Sequence, residues 1–175
     1  MSRLIIVYGI IAGAIVVGIM FLGGFFMGDP EHLSEPYGML IGFASMILSF
    51  STIFVAIRSY KMQFAPNDMT FLKGLQIGLL ITVVASLIYV AGWMYYSSVY
   101  APDFMENYVQ AIIEEYDKSD ASPEEKAAHK EQLISDMELY NTNPLYKMFI
   151  TFTEIFPVGL IISLIAAPIF MSRKK

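Results

Sequence analysis

LIIVYGIIAGAIVVGIMFLGGFFM, residues 4–27, is a run of 24 residues without a charged side chain. A helix rises about 1.5 Å per residue, so this run reaches roughly 36 Å, enough to cross a hydrocarbon core of about 30 Å with some tilt. Arg3 followed by an apolar stretch is also how a secretory signal begins. The run is longer than the usual signal core of about 7–15 residues, and no Ala-x-Ala-like site follows it, so an uncleaved first span is expected.

Working outward, three more such blocks appear at about 37–57, 71–96 and 144–171. The chain is 56% hydrophobic and 15% charged, against about 45–50% and about 25% in a soluble domain. The predicted fold class is an all-α membrane protein: a four-transmembrane-helix bundle forming a single membrane domain over 1–175. An insert at about 97–143 separates the third and fourth spans. There is no cysteine, which excludes disulfides, thiolate metal sites and cysteine nucleophiles.

Charge sets the expected orientation. Arg3, the Arg58–Lys61 exit with Lys73, and Arg173, Lys174 and Lys175 face Asp68 alone at one set of ends; the other ends hold fourteen acids against Lys118, Lys126, Lys130 and Lys147. The positive-inside rule then places both termini in the cytoplasm and the insert outside, in a bacterial inner membrane. Tyr37, Trp93, Tyr95, Tyr96, Tyr100, Tyr140 and Tyr146 fall at the expected outer interface, where amphipathic rings collect.

The insert is too long for a plain loop. Its first half starts at Pro102 and repeats apolar residues at helical spacing through Tyr116. Its second half opens with Ser122-Pro123-Glu124-Glu125, a capping-box pattern, and carries Leu133, Ile134, Met137 and Tyr140 on one face. An extracytoplasmic amphipathic helical hairpin is expected, ending at Asn143-Pro144.

The stretches Ile41-Gly42-Phe43-Ala44-Ser45-Met46, Ile57-Arg58-Ser59-Tyr60, Phe71-Leu72-Lys73-Gly74-Leu75-Gln76-Ile77-Gly78, Pro102-Asp103-Phe104 and Phe149-Ile150-Thr151-Phe152-Thr153-Glu154-Ile155-Phe156-Pro157-Val158-Gly159-Leu160-Ile161 carry a further signal. Together they resemble a family of small bacterial membrane proteins, domain of unknown function 4199. The resemblance covers nearly the whole chain. It implies four helices with an external helical insert and supplies no activity or functional residues.

Glu154 is the one ionisable residue well inside a span. An acid at a helix centre costs on the order of 2.5–3.5 kcal/mol on insertion, so it asks for a reason. Pro157 lacks its own N–H and frees the Thr153 carbonyl, and Thr151 and Thr153 add hydroxyls. These four residues form a candidate intramembrane polar site. One reading is a proton or cation site; the better supported one is a hydrogen-bonded acid that fixes helix packing.

Helix 2 carries a stripe of small and polar residues through Gly42, Ser45, Ser49 and Thr52, and helix 3 repeats Gly74, Gly78, Thr82 and Ser86. Such stripes let backbones approach where lipid offers no hydrophobic force, so packing is favoured over a polar path. No hydrolase elbow, P-loop, dinucleotide fingerprint or zinc-protease helix is present, so no enzyme, cofactor, catalytic residue or metal site is expected. His129 with Glu125 offers two ligands only, and His32 stands alone. The expected partners are the lipid bilayer and, through the hairpin, another copy of the chain or a second membrane protein. The acidic external segments argue against nucleic acid. The leading functional expectation is a non-enzymatic scaffold or interaction protein; the alternative is a small proton- or ion-linked carrier or accessory subunit centred on Glu154.

Overall fold

The computed structural model describes residues 1–27 and 36–172, with side chains from 1–23 and 40–172. It is all-α. The helices are α1 (Ser2–Met27), α2 (Pro36–Phe50), α3 (Thr52–Phe64), α4 (Phe71–Val99), α5 (Phe104–Asp117), α6 (Pro123–Thr142) and α7 (Pro144–Phe170). α2 and α3 are two parts of one apolar span, so six helices result. Four stretches are long and apolar enough to cross a membrane: Ser2–Gly23, Leu40–Phe64, Phe71–Val99 and Pro144–Phe170. Ile10, Leu48, Leu87 and Ile165, one from each, are exposed large apolar side chains of the kind a lipid-facing surface presents.

α4 is the central helix and packs chiefly on α7 and α1. Small residues set both contacts. A Cβ added at Gly9 or Gly13 of α1 would fall 2.6 Å from Val84 or 2.7 Å from Ile88. On the other side of α4, a Cβ at Gly78 would lie 2.5 Å from Ser163 Oγ, and one at Gly159 would overlap Thr82. The Gly74–Gly78–Thr82 stripe on α4 is therefore where α7 comes close, as the chemistry of membrane packing requires. Phe50, Ile53, Ile57, Ile77, Ile81 and Ile155 fill the space between.

The second span runs further than 37–57: α3 continues through Arg58 and Lys61 to Phe64. It is also interrupted at Ser51. There the Ser51 hydroxyl donates to the Leu48 carbonyl at 2.6 Å, the Thr52 hydroxyl donates to Ser49 O at 2.7 Å, and the Phe54 N–H bonds Ser51 O three residues back. Hydroxyls competing for the helix's own carbonyls, with a tightened turn, account for the break.

At the end away from the insert, the Ser172 N–H donates to Met69 O at 2.8 Å, and the Met69 N–H donates to Ser172 Oγ at 3.1 Å. This reciprocal pair ties the α3–α4 turn to the end of α7. At the opposite end, Phe21 of α1 meets Tyr96 edge-on at 5.2 Å and Tyr100 at 5.8 Å. The aromatic cluster expected at that interface is thus also a helix contact.

The insert is a helical hairpin of α5 and α6. α5 begins at Phe104, two residues after Pro102, because Pro102 and Asp103 sit in a turn closed by the Phe104 N–H on Ala101 O at 3.2 Å. α6 opens with a complete capping box between Ser122 and Glu125. Lys126 Nζ reaches Asp117 O at 2.7 Å, capping the end of α5, and His129 packs on Tyr116 at 4.3 Å. The continuous apolar face expected on α6 is only partly used: Tyr140 is buried, Leu133 and Met137 are half-buried, and Ile134 is exposed. With α5 as its main neighbour along the hairpin, α6 leaves most of its surface to solvent.

Candidate functional site

Among the described residues the bundle leaves a space at the hairpin end. A cavity of about 460 Å³ lies there, walled by α1 (Val16, Met20), α2 (Gly42, Phe43, Ser45, Met46), α4 (Tyr89, Trp93) and α7 (Ile150, Thr151, Glu154). The hairpin supplies the rest of the wall through Phe104, Met105 and Tyr108 of α5 and Tyr140 of α6. Phe43 and Ile150 are exposed as well as lining it, so among the described residues it is open between α2 and α7.

The hairpin is fixed to the bundle by aromatic residues. Trp93 of α4 donates its indole N–H to the Tyr140 hydroxyl at 2.6 Å. Phe104 meets the Trp93 ring edge-on at 4.9 Å, and Tyr108 stacks on Phe104 at 6.1 Å. Lys147 Nζ lies 5.0 Å above the Tyr140 ring, within cation–π range. Burial pushes the Tyr140 phenol above its usual pKa; the Trp93 hydrogen bond opposes this and nearby Glu154 adds to it. Tyr140 therefore stays neutral and keeps its role as acceptor.

Glu154 sits ten residues into α7, roughly 15 Å along the helix from Pro144, which is about half of a hydrocarbon core. Protein surrounds it on most sides, yet its side chain is accessible, opening into the cavity. It is the only charged side chain among the described residues lining that space, and it makes no hydrogen bond among them. The structure brings Thr151 into the same wall, buried, but its hydroxyl donates to Lys147 O at 2.8 Å on its own helix. Thr153 and Pro157 do not join the cavity: both are exposed, and Thr153 donates to Ile150 O at 2.8 Å. α7 stays helical through Pro157.

The helix-2 stripe divides. Ser49 is buried and donates to the Ala12 carbonyl of α1 at 2.6 Å, a bond between helices. Ser45 and Thr52 bond their own turn, through Gly42 O and Ser49 O. Gly42 meets no other helix; a Cβ there would find open space, since it faces the cavity. His129 is occupied with Tyr116, and His32 lies outside the described residues. The sequence leaves Tyr89 unmarked, places Trp93 only among interface aromatics and Phe104 and Tyr108 only on the apolar face of the first hairpin helix; nothing local says that these rings converge.

The fold and this site define a class: a helical protein with four candidate membrane-spanning helices and a hairpin-capped, acid-bearing cavity. Residues 7–172 match the family described as "Protein of unknown function (DUF4199)", and the chain belongs to that family. No curated protein matches it, and no solved structure does.

Proposed function

We propose that this chain is a non-enzymatic membrane protein that admits a small molecule to the capped cavity and responds to the charge on Glu154, as a proton- or ion-linked carrier or an accessory subunit of one. The observation that carries the reading is the position of Glu154, accessible and without a hydrogen bond among the described residues, in a cavity that the hairpin helps to wall. An acid kept only for packing would be expected to hold a hydrogen bond across a helix interface. The charge pattern supports a setting in a bacterial inner membrane, termini inside and hairpin outside. No inverted repeat of the kind found in complete transporters is evident in four spans, which favours action as an oligomer or alongside a partner.

Trp93 is the only tryptophan and lines the cavity, so its emission reports on the site directly. In reconstituted protein, emission is expected to change between acid and neutral pH, and Glu154→Gln is expected to abolish that change. If neither form shows a pH-dependent signal or flux, the carrier reading fails.

A second reading rests on α6, which buries Tyr140 alone and exposes Ile134 and Leu139. Its exposed surface would be the contact for another copy or a membrane protein partner, as a scaffold. Substituting both exposed residues by serine should then change the oligomeric state or the set of co-purifying membrane proteins; no change would remove the reading.

A further inference from the structure

The chemistry of the cavity narrows what it accepts, given that the proposed binding role holds. The wall is apolar and aromatic, with rings contributed by Phe43, Tyr89, Trp93, Tyr108 and Tyr140 from four different helices, and Glu154 as its charge. No lysine, arginine or histidine lines it among the described residues.

Four ligand classes can be compared. A bare metal cation needs several oxygen donors, about six to eight for calcium. Here the described wall offers one carboxylate beside the neutral hydroxyls of Ser45, Tyr89, Tyr108, Tyr140 and Thr151, which are weaker ligands for a bare ion. An anion would be repelled by Glu154. A neutral apolar guest would strip water from the carboxylate and give nothing back. An organic cation with an apolar body answers both features: its charge pairs with the carboxylate, and its alkyl or aryl groups lie on ring faces that attract cations. A quaternary ammonium suits the site further, since it has no N–H to satisfy and pairs with the one carboxylate of the described wall. Met46 and Met105 add soft, adaptable surface that tolerates variation in the body.

We propose that the cavity binds a hydrophobic quaternary ammonium, held by Glu154 and by the aromatic wall that includes Tyr108.

The test titrates the protein in phosphatidylglycerol nanodiscs, which offer no ammonium headgroup, with benzyltrimethylammonium while following Trp93 emission. Neopentylbenzene, in which carbon replaces the nitrogen, is the neutral control. A saturable response to the cation is expected, with affinity at least about tenfold above that for the isostere. Glu154→Gln should weaken cation binding by a similar factor. Tyr108→Leu should weaken it about three- to tenfold, and it supplies the test if Glu154→Gln does not assemble. Equal affinity for cation and isostere, or Tyr108→Leu and Glu154→Gln binding as tightly as the parent, would overturn the proposal while leaving a ligand cavity in place. No response to either compound, together with no response of Trp93 to pH, would overturn the binding role as well. Repeating the titration in phosphatidylcholine nanodiscs identifies the source of the ammonium. Competition there points to a lipid headgroup and unchanged affinity to a free cation, and either result supports the shared chemistry.

Discussion

The Trp93 indole N–H donates to the Tyr140 hydroxyl at 2.6 Å, joining the central helix of the bundle to the second helix of the hairpin. Both side chains are buried, at 9% and 6% exposure, so little water reaches either group when its partner is lost. Tyr140→Phe leaves the indole N–H unpaired, at a cost of about 1–3 kcal/mol. The loss should be local. Hydrogen exchange is expected to speed up in α5 and α6 and to stay unchanged along the α4–α7 contact; uniform acceleration, or none, would show that the hairpin is not held by this bond. Trp93→Phe combined with Tyr140→Phe should cost less than the sum of the two single changes, because the double variant leaves no orphaned donor.

Two glycines at similar sequence spacing should behave in opposite ways. A Cβ at Gly159 falls on the Thr82 side chain and 2.9 Å from Phe50, whereas one at Gly42 meets nothing within 4 Å. Gly159→Ala is therefore expected to cost about 1–3 kcal/mol through overpacking of α4 against α7. Gly42→Ala should cost nothing, and it gains up to about 1 kcal/mol from helix propensity. Denaturant unfolding in mixed micelles measures both; equal effects would mean that the α4–α7 approach is not as close as described.

The contrast between these glycines also shows what was legible in the sequence. The four spans could be read because charge-free runs of this length are a property of the chain itself, and the hairpin because the Ser122–Glu125 cap and the Asn143-Pro144 restart are local signals. Glu154 was legible as a lone acid in a span. Its surroundings were not, because Trp93 and Tyr140 are 47 positions apart in sequence and meet only once α6 folds back. Spacing along one helix marks a stripe but does not name its neighbour: Gly78 met α7 and Gly42 met an open space. The break at Ser51 depends on which carbonyl each hydroxyl takes, a choice that composition does not fix.

The hairpin should loosen at its tip in acid. Hydrogen bonds from the Ser122 backbone and hydroxyl hold the Glu125 carboxyl below its ordinary pKa. A depressed folded pKa means that the bonds contribute fully above the unfolded value of about 4.3, and that the contribution is lost as pH falls through the lower folded value. Amide exchange in the first turn of α6 is expected to rise in that window. Glu125→Gln should flatten the response, and the same acid dependence in that variant would assign it to another group.

Ser49 and Ser45 separate a bond between helices from one within a turn. The Ser49 hydroxyl crosses from α2 to the Ala12 carbonyl of α1 at 2.6 Å, while Ser45 returns to Gly42 O at 2.6 Å on its own helix. Both are buried, and replacing either by alanine removes a donor without leaving a side-chain polar atom behind. Hydrogen bonds between membrane helices average about 0.6 kcal/mol and reach about 1.7. Ser49→Ala should fall in that range, because α1 and α2 lose a link that no other side chain replaces among the described residues. Ser45→Ala should lie near zero, since the intrahelical bond competes with the backbone and adds little to tertiary structure. Unfolding free energies for the two variants in the same micelles decide the matter: a larger loss from Ser45→Ala would mean that its hydroxyl serves the cavity and not its own turn.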